Sequence, residues 1–291
     1  MRRHTLAISL LALSLGACAN RARPADISFE ETFPQSPAAD RDPRELRVVT
    51  FNVHRETPQK VIEGITQDKA LRDADVFVLQ EVHRVETPGA DWCSPACVLG
   101  KKLGYYSIYA PGHMQGNGSD GVAVVSRLPL TSAQLIELPY FDVHFNSGRR
   151  IALAVTLEID GAPVTLYAVH LDNRLGVRDR RTQMLPVLKH AQQQKTPVVI
   201  AGDFNTSPFT WISHVVPVLT TTQDNRFEEL VRDHGFTTPV SQSGATHRYI
   251  GMKLDGIYTR GFETVKFATA DAKNVSDHLA LWATLRRTTI N

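Results

Sequence analysis

Cysteine is scarce in this chain of 291 residues: there are three, at positions 18, 93 and 97, too few for a disulfide framework. Charge of one sign is also lacking, with 32 basic against 30 acidic side chains and a formal net charge of +2, so composition carries no global signature of a polyanion binder. No apolar run approaches the roughly 20 residues that a membrane-spanning helix needs. Neither HExxH nor a cluster of Cys ligands is present, which excludes the common zinc sites. What remains is ordinary globular composition, 42% hydrophobic with 18 Gly and 16 Pro, and this excludes disordered, collagen-like and coiled-coil chains.

The first cysteine has a context of its own. Arg2 and Arg3 form a positive start, Leu6 to Leu15 a short apolar run, and LSLGAC at 13–18 resembles a bacterial lipobox. That resemblance implies cleavage before Cys18 and lipidation of its thiol and new amino group; an ordinary secretory peptide is the other reading. Ala19, where some lipoproteins carry Asp, resembles those sent on to the outer membrane. Loss of residues 1–17 removes two of the 32 basic residues and leaves 30 against 30 acidic, a formal charge of zero. Residues 18–45 are polar, with Pro24, Pro34, Pro37 and Pro43, and read as a lipidated Cys followed by a stiff tether. Residues 46–291 contain no repeat and no second linker, and read as one domain in a chain expected to be monomeric.

Within that domain, short runs rich in Val, Ile and Tyr recur: LRVVTFNVH, DVFVLQEV, GVAVVSR, RIALAVTLEI, PVTLYAVHL, PVVIAGDF, LDGIYTR and HLALWATL. These predict strands, many of them buried. Asp160, Gly161 and Ala162 separate two of them and predict a hairpin. Helices are expected after Thr57 and Pro58, from about Val177 to Gln194, and from Phe227 to His234 with Gly235 ending the last. The pattern is that of an α/β sandwich with helices outside packed sheets.

Polar residues recur where these strands end: Asn52 and His54, Gln80 and Glu81, His170 and Asp172, Asp203 and Asn205, Asp255, and Asp277 with His278. Each alone is a common cap or turn residue. Gathered at one end of a sandwich, they form an oxygen-rich site suited to a hard cation, Mg²⁺ first, with Mn²⁺ as a substitute. Histidines among the carboxylates suit proton transfer and stabilisation of negative charge.

TFNVH around Asn52, LQEV around Glu81, VSRLPL, AVHL at His170, GDFN at Asp203 to Asn205, LDGIY at Asp255 and SDH at Ser276 to His278 occur in the order of the endonuclease/exonuclease/phosphatase superfamily, which the chain resembles from Leu46 to about Leu285. The resemblance implies a four-layer α/β/β/α sandwich with two mainly antiparallel or mixed sheets, and a metal-dependent phosphoric ester hydrolase. It implies Glu81 as principal metal ligand with Asn52 and Asp277 beside it. Asp203 would orient or deprotonate the attacking water, and Asn205 would hold a phosphate oxygen or the nucleophile. His278, buttressed by Asp255, and His170 would flank the phosphate. Apurinic endonucleases carry an acidic residue where this chain has His54, which puts a second metal position in doubt. A catalytically idle phosphate-binding module on the same fold is the alternative function.

Arg149 and Arg150 are candidates for a phosphate clamp, whereas Arg174, Arg178, Arg180 and Arg181 read as a solvated helix face. Gly112 to Gly121 reads as a flexible loop that brings Asn117 to substrate. Cys93 and Cys97, in WCSPACV, either pair in an oxidising compartment or remain free thiols. The expected partners are a phosphoester, DNA or phospholipid among them, and a membrane reached through Cys18.

Overall fold

A computed structural model describes residues 28–34, 45–86, 92–142, 148–159, 161–206, 209–212, 216–219, 223–249, 251–273 and 275–288. The expected signal peptide, Cys18 and Asp160 lie outside them. Among the described residues no helix is long and apolar enough to cross a membrane.

Two sheets face each other. The larger is built from β1 (Glu30–Thr32), β2 (Glu45–Asn52), β3 (Val76–Val85), β4 (Tyr106–Gln115), β5 (Gly118–Ser126), β13 (Phe262–Ala270) and β14 (Ala280–Arg287), in the order β1-β4-β5-β3-β2-β14-β13. The smaller has the order β12-β9-β8-β7-β6, from β6 (Leu130–Glu137), β7 (Ile151–Ile159), β8 (Ala162–His170), β9 (Val198–Asp203) and β12 (Asp255–Arg260). β2 with β3 and β8 with β9 pair in parallel, and the remaining pairs are antiparallel, so both sheets are mixed. A separate hairpin joins β10 (Phe209–Ile212) to β11 (Val216–Leu219). The helices are α1 (Pro58–Gln67), α2 (Lys69–Arg72), α3 (Pro95–Leu103), α4 (Val177–Gln192) and α5 (Gln223–Asp233).

Successive side chains of a strand point to opposite faces, and here both faces are buried. Val48, Val76 and Val78 enter a core between the sheets with Leu153, Leu166 and Ile257. Their neighbours Val49, Phe77 and Leu79 turn the other way, onto Val61 and Ile65 of α1 and Leu99 of α3. On the far side, Tyr167, Val169 and Ile200 meet Met184 and Leu188 of α4 and Phe227 of α5. Three cores between four layers make the α/β/β/α sandwich, and continuous apolar runs are what such doubly covered strands require.

The hairpin at Gly161 forms, with Ile159 opposite Ala162 and Gly161 at φ +68°. Gly235 follows α5 at φ +84°, a conformation that costs glycine little. Other expectations need correction. Glu30–Thr32 of the expected tether pairs with β4 as an edge strand. The expected loop from Gly112 to Gly121 is a hairpin, with Gly112 inside β4 and only Gly116 and Asn117 at its turn. Arg180 is not solvated but fully buried, donating to the carbonyls of Asp172 and Asn173. Of the two readings for the remaining cysteines, pairing is the one that holds: Cys93 and Cys97 are disulfide-bonded at the start of α3.

Gly202 directly precedes Asp203, and a Cβ there would lie 2.0 Å from the Val169 carbonyl oxygen. Only glycine lets β8 and β9 approach this closely. Gly202→Ala is expected to cost about 1–3 kcal/mol of stability through overpacking, read from urea unfolding, and to displace Asp203.

Candidate active site

β2, β8 and β9 end, β12 begins and β3 bulges along one edge where the sheets meet, and each delivers a polar side chain. Asn52 closes β2, and its Nδ2 donates to Glu81 Oε1 at 3.2 Å and to Asp203 Oδ2 at 2.9 Å. Its amide oxygen accepts from the His54 N–H at 3.0 Å. Asn52 therefore faces the cluster as a donor that holds Glu81, the residue expected to be the principal metal ligand.

Glu81 sits at φ +51° in a bulge of β3 between Leu79 and Val82, which aims its carboxylate into the cleft. The strained backbone is held by the Arg55 N–H, which donates to the Glu81 carbonyl at 2.9 Å. The carboxylate is 19% exposed and, beyond the Asn52 amide, has only longer contacts of 3.8 Å to Arg55 and His170. An anion so lightly hydrogen-bonded is a fit ligand for a hard cation.

Across from it, Asp203 at the end of β9 is fully enclosed. His170 Nε2 and His278 Nε2 each lie 3.7 Å from its Oδ2. The Asn205 N–H donates to its Oδ1 at 2.9 Å. Burial pushes the Asp203 carboxyl up to about 7, against the pull of His278.

The two histidines carry different charges. Burial would lower His278, but Asp255, whose Oδ2 is 2.9 Å from Nδ1, and Asp203 outweigh it and hold the ring up at about 10. His170 is driven well below its ordinary value by burial first and by Arg150 next. Arg150 NH1 lies 3.0 Å from His170 Nδ1 and 3.4 Å from Nε2, while Nε2 is 3.8 Å from Glu81 and 3.7 Å from Asp203. Arg150 is in turn fixed by its Nε donating to Asp172 at 2.8 Å, and Asp172 accepts from Gln183 of α4 at 3.0 Å.

Asp203, Asp255 and His278 lie close enough together to hold a metal ion, and Asp255 Oδ1 is buried with no hydrogen-bond partner among the described residues. An imidazolium already bridges those two carboxylates, so a cation there would have to displace its proton. Glu81 is the better anchor, with Asp277 at the cleft mouth. Asp277 lies 3.4 Å from both His54 and His247; burial would raise it, but these rings and His278 hold it below its usual value.

The remaining predicted residues separate. Asn205, at φ +51°, donates from Nδ2 to the Leu171 carbonyl at 2.9 Å, which fixes the amide and leaves its oxygen and second N–H for a ligand or water. Arg150, 9% exposed with Nε and NH1 engaged, is not a free phosphate clamp. Arg149 pairs with Glu137 at 3.0 Å on the rim. Asn117 stands apart, exposed at the tip of the β4–β5 hairpin. Sequence reading missed Arg55, His83, His113 and Asp120. Arg55 Nε donates to Asp120 and His83 Nδ1 lies 2.7 Å from it; Asp120 and His113 line, with Glu81, Arg150 and His170, a cavity of about 20 Å³, room for about one water. The only available signal was the acidic residue in GSDG, read as loop.

The Endonuclease/Exonuclease/phosphatase family model matches residues 49–278. The chain belongs to that family. Endonuclease/exonuclease/phosphatase proteins are divalent-metal-dependent phosphoester hydrolases, and this one is an enzyme of that class. Its fold is similar to an endonuclease/exonuclease/phosphatase from Beutenbergia cavernae, with a TM-score of 0.68 and 23% identity over 84% of this chain and 72% of that one. The human Nocturnin catalytic domain with bound sulfate gives 0.60 and 19%, covering 90% and 97%. D. rerio TDP2 complexed with a single-strand DNA product gives 0.59 and 17%, covering 83% and 99%. At such identities the likeness is one of fold. No curated protein matches the sequence significantly.

In the metal-free protein, NMR of the ring is expected to show His278 still protonated at neutral pH. Asp255→Asn removes the carboxylate that contributes most to raising it, so the titration should move down; an unchanged titration would contradict the pairing as the cause.

Proposed function

We propose that this enzyme is a Mg²⁺-dependent phosphodiesterase, with Mn²⁺ able to substitute, exported and held at a membrane by lipidated Cys18. One observation carries the catalytic reading: the Asp203 carboxylate stands between the Nε2 atoms of His170 and His278, each 3.7 Å away, with Asn52 linking it to Glu81. Asp203, once ionised, accepts a proton from water, and the Asn205 oxygen helps to orient that water. The His278 imidazolium, steadied by Asp255, donates to a phosphoryl oxygen as charge grows. His170 offers its Nε2 proton from the other side, with direction set by Arg150. Glu81 and Asp277 are the residues that would hold the cation, which supplies Lewis-acid neutralisation of the phosphoryl oxygens.

A phosphodiester is favoured because the cleft supplies donors on two sides. Nocturnin with sulfate and TDP2 with a DNA product support an oxyanion ligand on this fold. The substrate class is a nucleic acid, a phospholipid headgroup or a small phosphoester. Export is supported by the arginines, apolar run and lipobox-like LSLGAC of residues 1–18, together with the Cys93–Cys97 disulfide.

The purified full chain should hydrolyse bis(p-nitrophenyl) phosphate with Mg²⁺ and stop when EDTA is added. Asp203→Ala and His278→Ala should each lower kcat by ~10²-fold or more. Absence of metal-dependent turnover in the unaltered chain would indicate a binding module instead. For the anchor, Cys18→Ser should move the protein from the membrane fraction to the soluble one; unchanged fractionation would rule out lipidation as the attachment.

A further inference from the structure

We infer that Arg55, presented by Asp120, binds a phosphate oxygen of the substrate and is the guanidinium through which this cleft recognises its anion. The inference rests on the phosphoesterase reading and deepens it. Arg55 follows the β2 edge in a turn where both His54 and Arg55 take positive φ, 49° and 57°. The turn is held by the Arg55 N–H on the Glu81 carbonyl and by the His54 N–H on Asn52 Oδ1. Backbone strain locked from two sides fixes where the side chain leaves the chain.

Arg55 Nε donates to Asp120 Oδ2, and Asp120 is itself held on β5 by His83 at 2.7 Å. One carboxylate thus orients the guanidinium plane, and among the described residues the terminal nitrogens make no hydrogen bond. NH2 lies 3.8 Å from Glu81 Oε2, beyond hydrogen-bond range, and the side chain is 34% exposed. A guanidinium anchored at Nε and open at its fork is preorganised for an oxyanion. The competing arginines lack this freedom: Arg150 is committed to Asp172 and His170, and Arg149 is paired with Glu137 on the rim. Arg55 also stands on the Glu81 side of the cleft, with NH2 3.8 Å from Glu81 Oε2, so a phosphate drawn to that carboxylate's cation would lie within reach of its fork.

Asp120 touches no substrate here and is a positioning residue. Its removal should free the guanidinium without deleting its charge, a smaller loss than removal of Arg55.

The test uses the full chain with Mg²⁺ and measures inorganic phosphate binding by calorimetry beside bis(p-nitrophenyl) phosphate kinetics. Arg55→Ala should weaken phosphate binding and raise KM by about tenfold or more, with kcat falling less; Arg55→Lys should recover part of the loss. Asp120→Asn should raise KM by a smaller factor. Mn²⁺ affinity, followed by electron paramagnetic resonance, should change little in Arg55→Ala, and circular dichroism should show native folding in Arg55→Lys. Unchanged phosphate affinity in a folded Arg55→Ala, or a loss of Mn²⁺ affinity as large as the loss of phosphate affinity, overturns the assignment. If the unaltered chain neither binds phosphate nor turns over, the phosphoesterase reading falls and this inference with it; if the unaltered chain does both and Arg55→Ala matches it, only Arg55 is wrong.

Discussion

The Asn52 side chain donates to Glu81 and to Asp203, and these two carboxylates belong to different sheets. One amide nitrogen therefore joins the two halves of the active site across the seam of the sandwich. The distances of 3.2 and 2.9 Å can hold only if the sheets stack in one register, because a shift of either would part Glu81 from Asp203. That stacking is maintained by the inter-sheet core around Val48, Val78, Leu153 and Leu166, whose dispersion contacts resist sliding. The catalytic geometry is thus an outcome of apolar packing below the site as much as of polar contacts within it.

Along the cleft the groups form a line of alternating character: Asp120, Arg55, Glu81, Asn52, Asp203, His278 and Asp255. Each carboxylate has a donor on at least one side, and burial strengthens every such interaction. Burial lowers both histidines, and their charged neighbours separate them. His278, between carboxylates, keeps its proton; His170, beside Arg150, loses it. Two imidazoles on one carboxylate can then perform different tasks, as neighbouring groups with divergent environments do. A chain with formal charge of only +2 needs no general excess of base to attract phosphate, since the field is built locally from buried groups.

The strands legible in the sequence were those covered on both faces, where Val, Ile and Leu run on without interruption. β4, β6 and β13 escaped because their patterns are broken. β4 carries Pro111, Gly112 and His113, β6 alternates Thr, Ser and Gln with apolar residues, and β13 leaves several side chains exposed at a sheet edge. α3 escaped because the reading of WCSPACV rests on its cysteines alone, although Ser94 caps the helix and Pro95 opens it. Among site residues, those at the ends of apolar strands were conspicuous. Arg55 and Asp120 were not, since one lies in a turn and the other in a hairpin mistaken for a loop.

By itself, the sequence determined the supply of chemistry: which polar groups end which buried strands, in what order, and that a four-layer sandwich of the endonuclease/exonuclease/phosphatase type would carry them. Strand periodicity and turn chemistry are local, and local properties are written in neighbouring residues. Which atom of the Asn52 amide faces the carboxylates, which histidine its neighbours hold charged, and which carboxylate each arginine meets were decided only by the tertiary structure. Those properties depend on burial and on partners 20 to 150 positions away, as between His170 and Arg150 or Asn52 and Asp203, and no run of adjacent residues encodes them.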